Sequence, residues 1–374
     1  MKKFFLATTV IIATLITNCV VAQDSTKSLT ISGSVDAYYR YNFADNVDYI
    51  NNFTSFTNSQ NSFELGMASV RADASAMSGK VTATVDLGFG RRAEEFSYND
   101  GVSDQGENGF FTLANIKQLY ITYAPSTKVK FTMGKFGTHV GYELLDAPLN
   151  RNYSMAYMFT NGPFFHTGLK MDITAGPVGF MLGIANYTDQ STSTIPTKSL
   201  LGQISGASSN GKIKAFFNYV GSYGSKSLSI PGGLKSLSQY DLVVTAVVTS
   251  KFNIGFNGTI QDRKTGITAT SGSWKGAALY LNVDPSATVG LTLRSEYIGD
   301  KKMIYFNSFN PTGSMTVGTK SIFANTLSLN YKVGPFTLIP ELRIESGQSA
   351  IYAKNNGTAS KSTATALLAA LYKF

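Results

Sequence analysis

Polar and apolar side chains alternate along this chain with a period of two. In LTISGSVDAYYRY (29–41), Leu29, Ile31, Val35, Ala37, Tyr39 and Tyr41 fall on one side, and Thr30, Ser32, Ser34, Asp36 and Arg40 on the other. Successive side chains of an extended strand point to opposite faces, so the pattern predicts a strand with one apolar and one polar face. VTATVDLGF (81–89) and TVGLTLRSEY (288–297) repeat it, and it continues to the final residues.

The connections between these strands sort by length. MSGK (77–80), PST (125–127), GP (176–177), SSNG (208–211), TSK (249–251), DPS (284–286) and VGP (333–335) have the chemistry of hairpin turns. Longer polar segments fall near 43–61, 91–114, 137–161, 187–197, 222–236, 263–272, 300–318 and 346–360. Seven short turns and eight long loops separate about sixteen strands, with both ends of the sheet on the short-turn side. The predicted fold class is therefore all-β: a transmembrane antiparallel β-barrel with short periplasmic turns and long extracellular loops. A water-soluble sandwich also alternates, but it has no reason to sort its connections in this way.

Aromatic residues support the same reading. Tyr123, Phe252, Tyr331, Phe336, Tyr372 and Phe374 lie beside short turns, whereas Tyr41, Phe63, Phe89, Tyr187, Tyr219, Trp274 and Tyr297 lie beside long loops, as two interfacial girdles would require. Hydrocarbon offers no partner to an open sheet edge, so the first and last strands must pair. ALLAALYKF (366–374) reads as that closing strand, with an inner face (Leu367, Ala369, Leu371, Lys373) less polar than its siblings'. Its final Phe374, preceded by alternate apolar residues, resembles the signal read by the outer-membrane barrel assembly machinery.

The first residues form a separate unit. Lys2 and Lys3, an apolar run from Phe4 to Ile16 and Val20-Val21-Ala22 just before Gln23 fit an export leader (1–22), leaving 23–374 as one barrel domain. That run is shorter than the ~18–20 residues of a spanning helix. Cys19, the only cysteine, follows Asn18 rather than the small residue expected before a lipid acceptor. Without the leader lysines, 30 basic residues face 23 acidic ones, a net charge of +7. With 15% charged residues and no long basic run, nucleic acid is not an expected partner, and no cofactor is implied.

An Arg or Lys on the lipid face costs roughly 2–4 kcal/mol at the bilayer midplane, so strand charges are expected to point inward, into water. The pore-lining candidates are Arg40, Glu64, Arg71, Asp86, Lys170, Arg294, Glu296, Glu341, Arg343 and Glu345; Asp36, Asp241 and Lys275 are read the same way. Close pairs such as Arg294 with Glu296, or Arg343 with Glu341 and Glu345, could equally stiffen the wall. The long segment 137–161 carries Glu143, Asp146 and Arg151, and by analogy with general porins it is expected to narrow the pore, an external cap being the alternative.

Other motifs carry less. GASSNGKI (206–213) approaches a phosphate-binding loop, but Ile213 stands where Ser or Thr must bind Mg²⁺ and no helix follows, so it reads as a hairpin turn. LGFGRR (87–92) lacks dinucleotide-site spacing. His139 and His166, the two histidines, could meet at the outer rim, where Asp146 or Ser154 would complete a hydrolytic site.

At GKFGTHVGYE (134–143), NRNYSMAYMFTNGPFFHTGLKMDI (150–173), VDLGFG (85–90) and Phe374, the chain resembles the OmpL-like β-barrel outer-membrane porin family. The resemblance implies a Gram-negative outer-membrane channel and carries no motif of binding residues. The combined expectation is passive diffusion of small hydrophilic solutes through a water-filled lumen, with a mild preference for anions. The alternatives are a plugged barrel whose loops bind a partner, and a rim hydrolase using His139 or His166. About 22 strands plus a plug, as a TonB-dependent transporter needs, do not fit this length. The outward faces show no polar seam from which to read an oligomeric state.

Overall fold

The computed structural model describes residues 27–46, 51–100, 112–193, 195–224, 234–265, 272–300 and 318–374. The expected leader, with Cys19, and most of the 300–318 loop lie outside them. Sixteen antiparallel strands form one closed barrel. The first half comprises β1 (Ser28–Asn42), β2 (Ser62–Ala76), β3 (Val81–Phe89), β4 (Ile116–Ser126), β5 (Val129–Gly137), β6 (Phe165–Ala175), β7 (Val178–Asn186) and β8 (Lys198–Ala207). β9 (Ile213–Tyr223), β10 (Leu234–Val247), β11 (Phe252–Thr265), β12 (Gly272–Val283), β13 (Val289–Gly299), β14 (Ser321–Val333) and β15 (Phe336–Gly347) follow, and β18 (Ser362–Lys373) ends the barrel. A small ribbon, β16 (Tyr352–Ala353) with β17 (Ala359–Ser360), lies in the last long loop.

Each barrel strand pairs with its neighbours in sequence, and β1 closes on β18 with Val35 opposite Tyr372 and Tyr41 opposite Ala366. Gly33 and Phe374 exchange both backbone hydrogen bonds at 3.0 Å, sealing the last residue into the seam. Closure matters energetically because an unpaired amide in hydrocarbon costs several kcal/mol. The turns between β6 and β7 and between β14 and β15 show how sequence selects a hairpin. Gly176 (φ 62°) and Gly334 (φ 58°) take the positive φ of the first central position of a type II′ turn, and the following prolines supply the second.

The outward face is a band of exposed apolar side chains, among them Leu29, Ile31, Leu65, Met133 and Leu182. A barrel with such a surface is solvated by lipid, not water. Two aromatic assignments are corrected. Trp274 faces inward, fully buried, and donates its indole N–H to Gln261 Oε1 at 3.1 Å; Lys275, expected inside, is exposed on the outer face. Lys275 sits at the loop end of β12, where the lipid penalty for charge has faded, so register rather than charge decided its side. Tyr187 leaves the girdle as well and packs against Leu237 and Ile195.

Candidate functional site: the lumen and its inward-folded segment

The connection from β5 to β6, residues 138–164, folds into the barrel. It contains a 3₁₀ turn (Ala147–Leu149) and a short helix α2 (Tyr157–Asn161). Its backbone amides are satisfied by strand side chains rather than by regular structure. Gly141 N–H donates to Asp241 (3.0 Å), Tyr153 N–H to Glu341 (2.9 Å) and Tyr157 N–H to Glu296 (2.7 Å). The inward carboxylates thus act as docking points for an irregular chain that would otherwise carry buried, unpaired donors.

The strongest anchor is a cluster of two guanidinium and three carboxylate groups. Arg294 contacts Glu143 (2.6 Å) and Glu296 (3.2 Å) and donates to the Ser154 carbonyl (2.6 Å). Arg343 contacts Glu296 (3.1 Å) and Glu345 (2.9 Å) and donates to the Met155 carbonyl (3.2 Å). Glu143 also accepts from Ala156 N–H (2.7 Å), and Tyr157 donates its hydroxyl to Glu345 (2.7 Å). All five charged side chains are at most 4% exposed. Planar guanidinium groups suit this role, because each meets carboxylates and carbonyls simultaneously with fixed donors.

Further anchors surround it. Lys117 bridges Asp146 (2.5 Å) and Asp86 (3.1 Å), and Arg151 pairs with Asp284. Tyr153 donates its hydroxyl to Asp36 at 2.5 Å, passing over Gly66, where a Cβ would collide with both groups. Ala147 and Tyr153 cover Leu367, Ala369 and Leu371, which explains the apolar inner face of β18: it meets protein, not water. Met158 packs with Trp274 in the same manner. Glu143, Asp146 and Arg151, the charged residues of the segment 137–161, are all spent on these contacts with strand side chains and a turn aspartate.

At the outer end, helix α1 (Arg91–Phe96) places Arg92 between the Phe56 and Tyr153 rings, 5.0 and 4.9 Å from their centroids, and Phe56, Phe96 and Phe164 cluster around it. Lys135 pairs with Asp100 (2.8 Å) over the Phe165 ring. Asp189 accepts from the Phe164 and Phe165 amides (2.6 and 3.0 Å), and its burial pushes the carboxyl up to about 6. Arg92, Lys117, Lys135 and Asp189 are contributions that strand parity did not single out. Lys117 and Lys135 do share the inward phase of β4 and β5; Arg92 and Asp189 lie in loops, where no periodicity marks them.

The histidines do not assemble a hydrolytic site with the expected partners. Their ring centroids are 5.6 Å apart, but His166 is fully buried against the Thr138 hydroxyl (3.1 Å) and His139 meets the Tyr219 carbonyl (3.1 Å). Asp146 is held by Lys117, and the Ser154 hydroxyl lies against Arg294. Burial lowers His139 to about 4.

Strand parity placed the candidate pore residues inside, but not all face open space. Arg40, held by the Ser59 carbonyl, is buried, as are Asp86 beneath Lys117 and Arg294, Glu296, Glu341, Arg343 and Glu345. Glu64 pairs with Arg91 at 3.2 Å. Open space remains beside β1–β6. One cavity of about 540 Å³ runs past Asp86, Lys117, Gln118, Glu143 and Asp146, and a second of about 520 Å³ runs past Asp73, Lys130 and Lys170 toward Gly79 in a short turn. Arg71, Gln118 and Gly137 border both.

Comparison with known proteins follows this geometry. The outer membrane channel DcaP of Acinetobacter baumannii is similar over 93% of this chain and 97% of its own, at 12% identity and a TM-score of 0.61. The anion-selective porin from Comamonas acidovorans matches over 93% and 100% at 12% identity (TM-score 0.59), and OmpT of Vibrio cholerae in its trimer form over 93% and 99% at 11% (TM-score 0.57). At these identities the likeness is one of fold. No curated protein sequence matches. The model of the beta-barrel porin-2, OmpL-like family matches residues 28–374, and the chain belongs to that outer-membrane porin family.

Proposed function

We propose that the protein is a passive channel in which small hydrophilic solutes diffuse along the β1–β6 side of the lumen, past the segment 138–164, with a mild preference for anions. The observation that carries this reading is the pair of adjoining cavities that share Arg71 and Gln118. Arg71 and Lys170 are the exposed pore-lining charges of this path, Asp86 lies buried in its wall against Lys117, and Glu143 and Asp146 mark its narrowing. Selection then rests on width and on the charges that remain wet, as in other barrel pores. Single-channel recording in a planar bilayer under a salt gradient tests it. Stepwise conductance with an anion-side reversal potential is expected; cation preference removes the anion claim. A folded but silent barrel favours the plugged alternative, for which the outer Phe56–Phe96–Phe164 cluster is the candidate closure.

On the same reading, export is directed by residues 1–22, and the outward-facing, seam-bound Phe374 engages the assembly machinery. Deleting Phe374 is expected to reduce the heat-modifiable barrel recovered in outer membranes.

A further inference from the structure

Lysines crowd the short-turn end of the barrel. Lys80, Lys128, Lys212 and Lys251 stand in four of the short turns. Lys214 and Lys332 lie one residue from strand ends there and Lys373 ends β18, and their strand phase is inward, because Ile213, Tyr331, Val333, Tyr372 and Phe374 are exposed on the lipid side.

Acidic groups do not balance them. Among the described residues, the carboxylates at this end are Asp73, Asp172 and Asp284, besides the terminal carboxylate next to Lys373. Each aspartate already has a cationic neighbour: Arg71 at 2.7 Å from Asp73, Lys130 and Lys170 at 3.6 and 3.5 Å from Asp172, and Arg151 against Asp284. None of the seven lysines has an ion-pair partner among the described residues. Like charges gathered around one water-filled mouth raise the local potential, and low-dielectric walls focus it.

From this geometry we infer that the short-turn mouth is a cationic vestibule that binds multivalent anions, of the phosphoryl or polycarboxylate class, and that it sits on one side of the membrane only. The inference rests on the channel reading and specifies where its anion preference arises. The inward phase of Lys214, Lys332 and Lys373 selects soluble anions over lipid headgroups as the occupant. Multivalence follows from geometry too: separate turns present separate ammonium groups, and a monovalent ion engages one at a time, whereas a chain of phosphates can meet several.

The test uses tripolyphosphate on single barrels in a planar bilayer. The anion is added first to one compartment and then to the other, in a Cys19→Ser chain whose orientation is read by adding Asn210→Cys and a charged, impermeant thiol reagent. Current interruptions are expected only from the short-turn side, and they should weaken as salt rises. Lys214→Gln, Lys251→Gln, Lys332→Gln and Lys373→Gln together should raise the half-blocking concentration roughly tenfold, as expected for removing several screened charges. The set Lys198→Gln, Lys354→Gln and Lys361→Gln, at the long-loop end, should leave it unchanged. Equal block from both sides, or block untouched by the four short-turn substitutions, overturns the inference while leaving the channel reading intact. A silent barrel overturns the channel reading instead. Calorimetric titration of the detergent-solubilised protein with tripolyphosphate then decides the vestibule without conduction: binding lost in the fourfold variant supports it, and absence of binding overturns it.

Discussion

On the β12–β15 wall, Arg294 and Arg343 are sealed beneath the segment 138–164, whereas on the β2–β6 wall Arg71 and Lys170, reached by the same strand parity, stay open to water. Arg294 is 0% exposed and Arg71 31%. Residue type and phase are equal on the two walls, so neither distinguishes a bolt from a pore-lining charge. What distinguishes them is the covering chain, several of whose amides are received by carboxylates of the β13 and β15 strands beside Arg294 and Arg343. Replacing one half of a buried ionic cluster leaves the other half stranded, while an exposed pair yields to solvent with little cost.

The contrast is broken most severely by Arg294→Ala, which strands Glu143 and leaves Glu296 with Arg343 as its remaining cation. Stability should fall by about 3–5 kcal/mol, read as a lower unfolding temperature of the heat-modifiable barrel, and single-channel conductance should rise as the segment loosens. Tyr153→Phe removes only the hydroxyl donated to Asp36. A loss of about 1–3 kcal/mol is expected, with conductance nearly unchanged because the ring still covers β18. Arg71→Gln, on the open wall, should change stability by less than about 1 kcal/mol yet move the reversal potential toward cations. A variant that reverses this order, with Arg71 the costly site, would erase the distinction between walls.

Acidity sharpens the comparison least. His139, in the inward segment, is held neutral with its folded value lowered to about 4, so the stability tied to it is present above about 6.5 and lost as pH falls from there toward 4. Asp189 works in the opposite sense: its folded value of about 6 means stability present below its ordinary carboxylate value and lost as pH rises through 6. His139→Gln should therefore lessen the destabilisation seen between pH 7 and pH 4.5, and Asp189→Asn should steepen it, both measured as unfolding temperature against pH.

The barrel was legible in the sequence because hydrocarbon imposes a simple rule on every strand, and Gly176–Pro177 and Gly334–Pro335 announced their turns. Strand parity assigned the charges a side by the same rule, and Lys275 shows where that rule weakens. The burial of the charges was not legible, since it depends on where an aperiodic segment lies, and nothing in 138–164 encodes its partners locally: Glu143 meets Arg294 and Tyr153 meets Asp36 across more than a hundred residues of chain. Trp274 and Lys275 misled for a related reason. Near a strand end the lipid penalty is weak, and packing against Met158 chose the side.

The dry inner face of β18 also carries a consequence for timing. Leu367, Ala369 and Leu371 are hidden only once Ala147 and Tyr153 lie against them, while Ala366, Leu368 and Ala370 face lipid. Before closure the stretch 366–371 is apolar on both sides, without the amphipathic signature that orients the neighbouring strands. The seam that completes the cylinder is therefore matched to a lumen already occupied, and an empty barrel would shut against a wetted hydrophobic stripe.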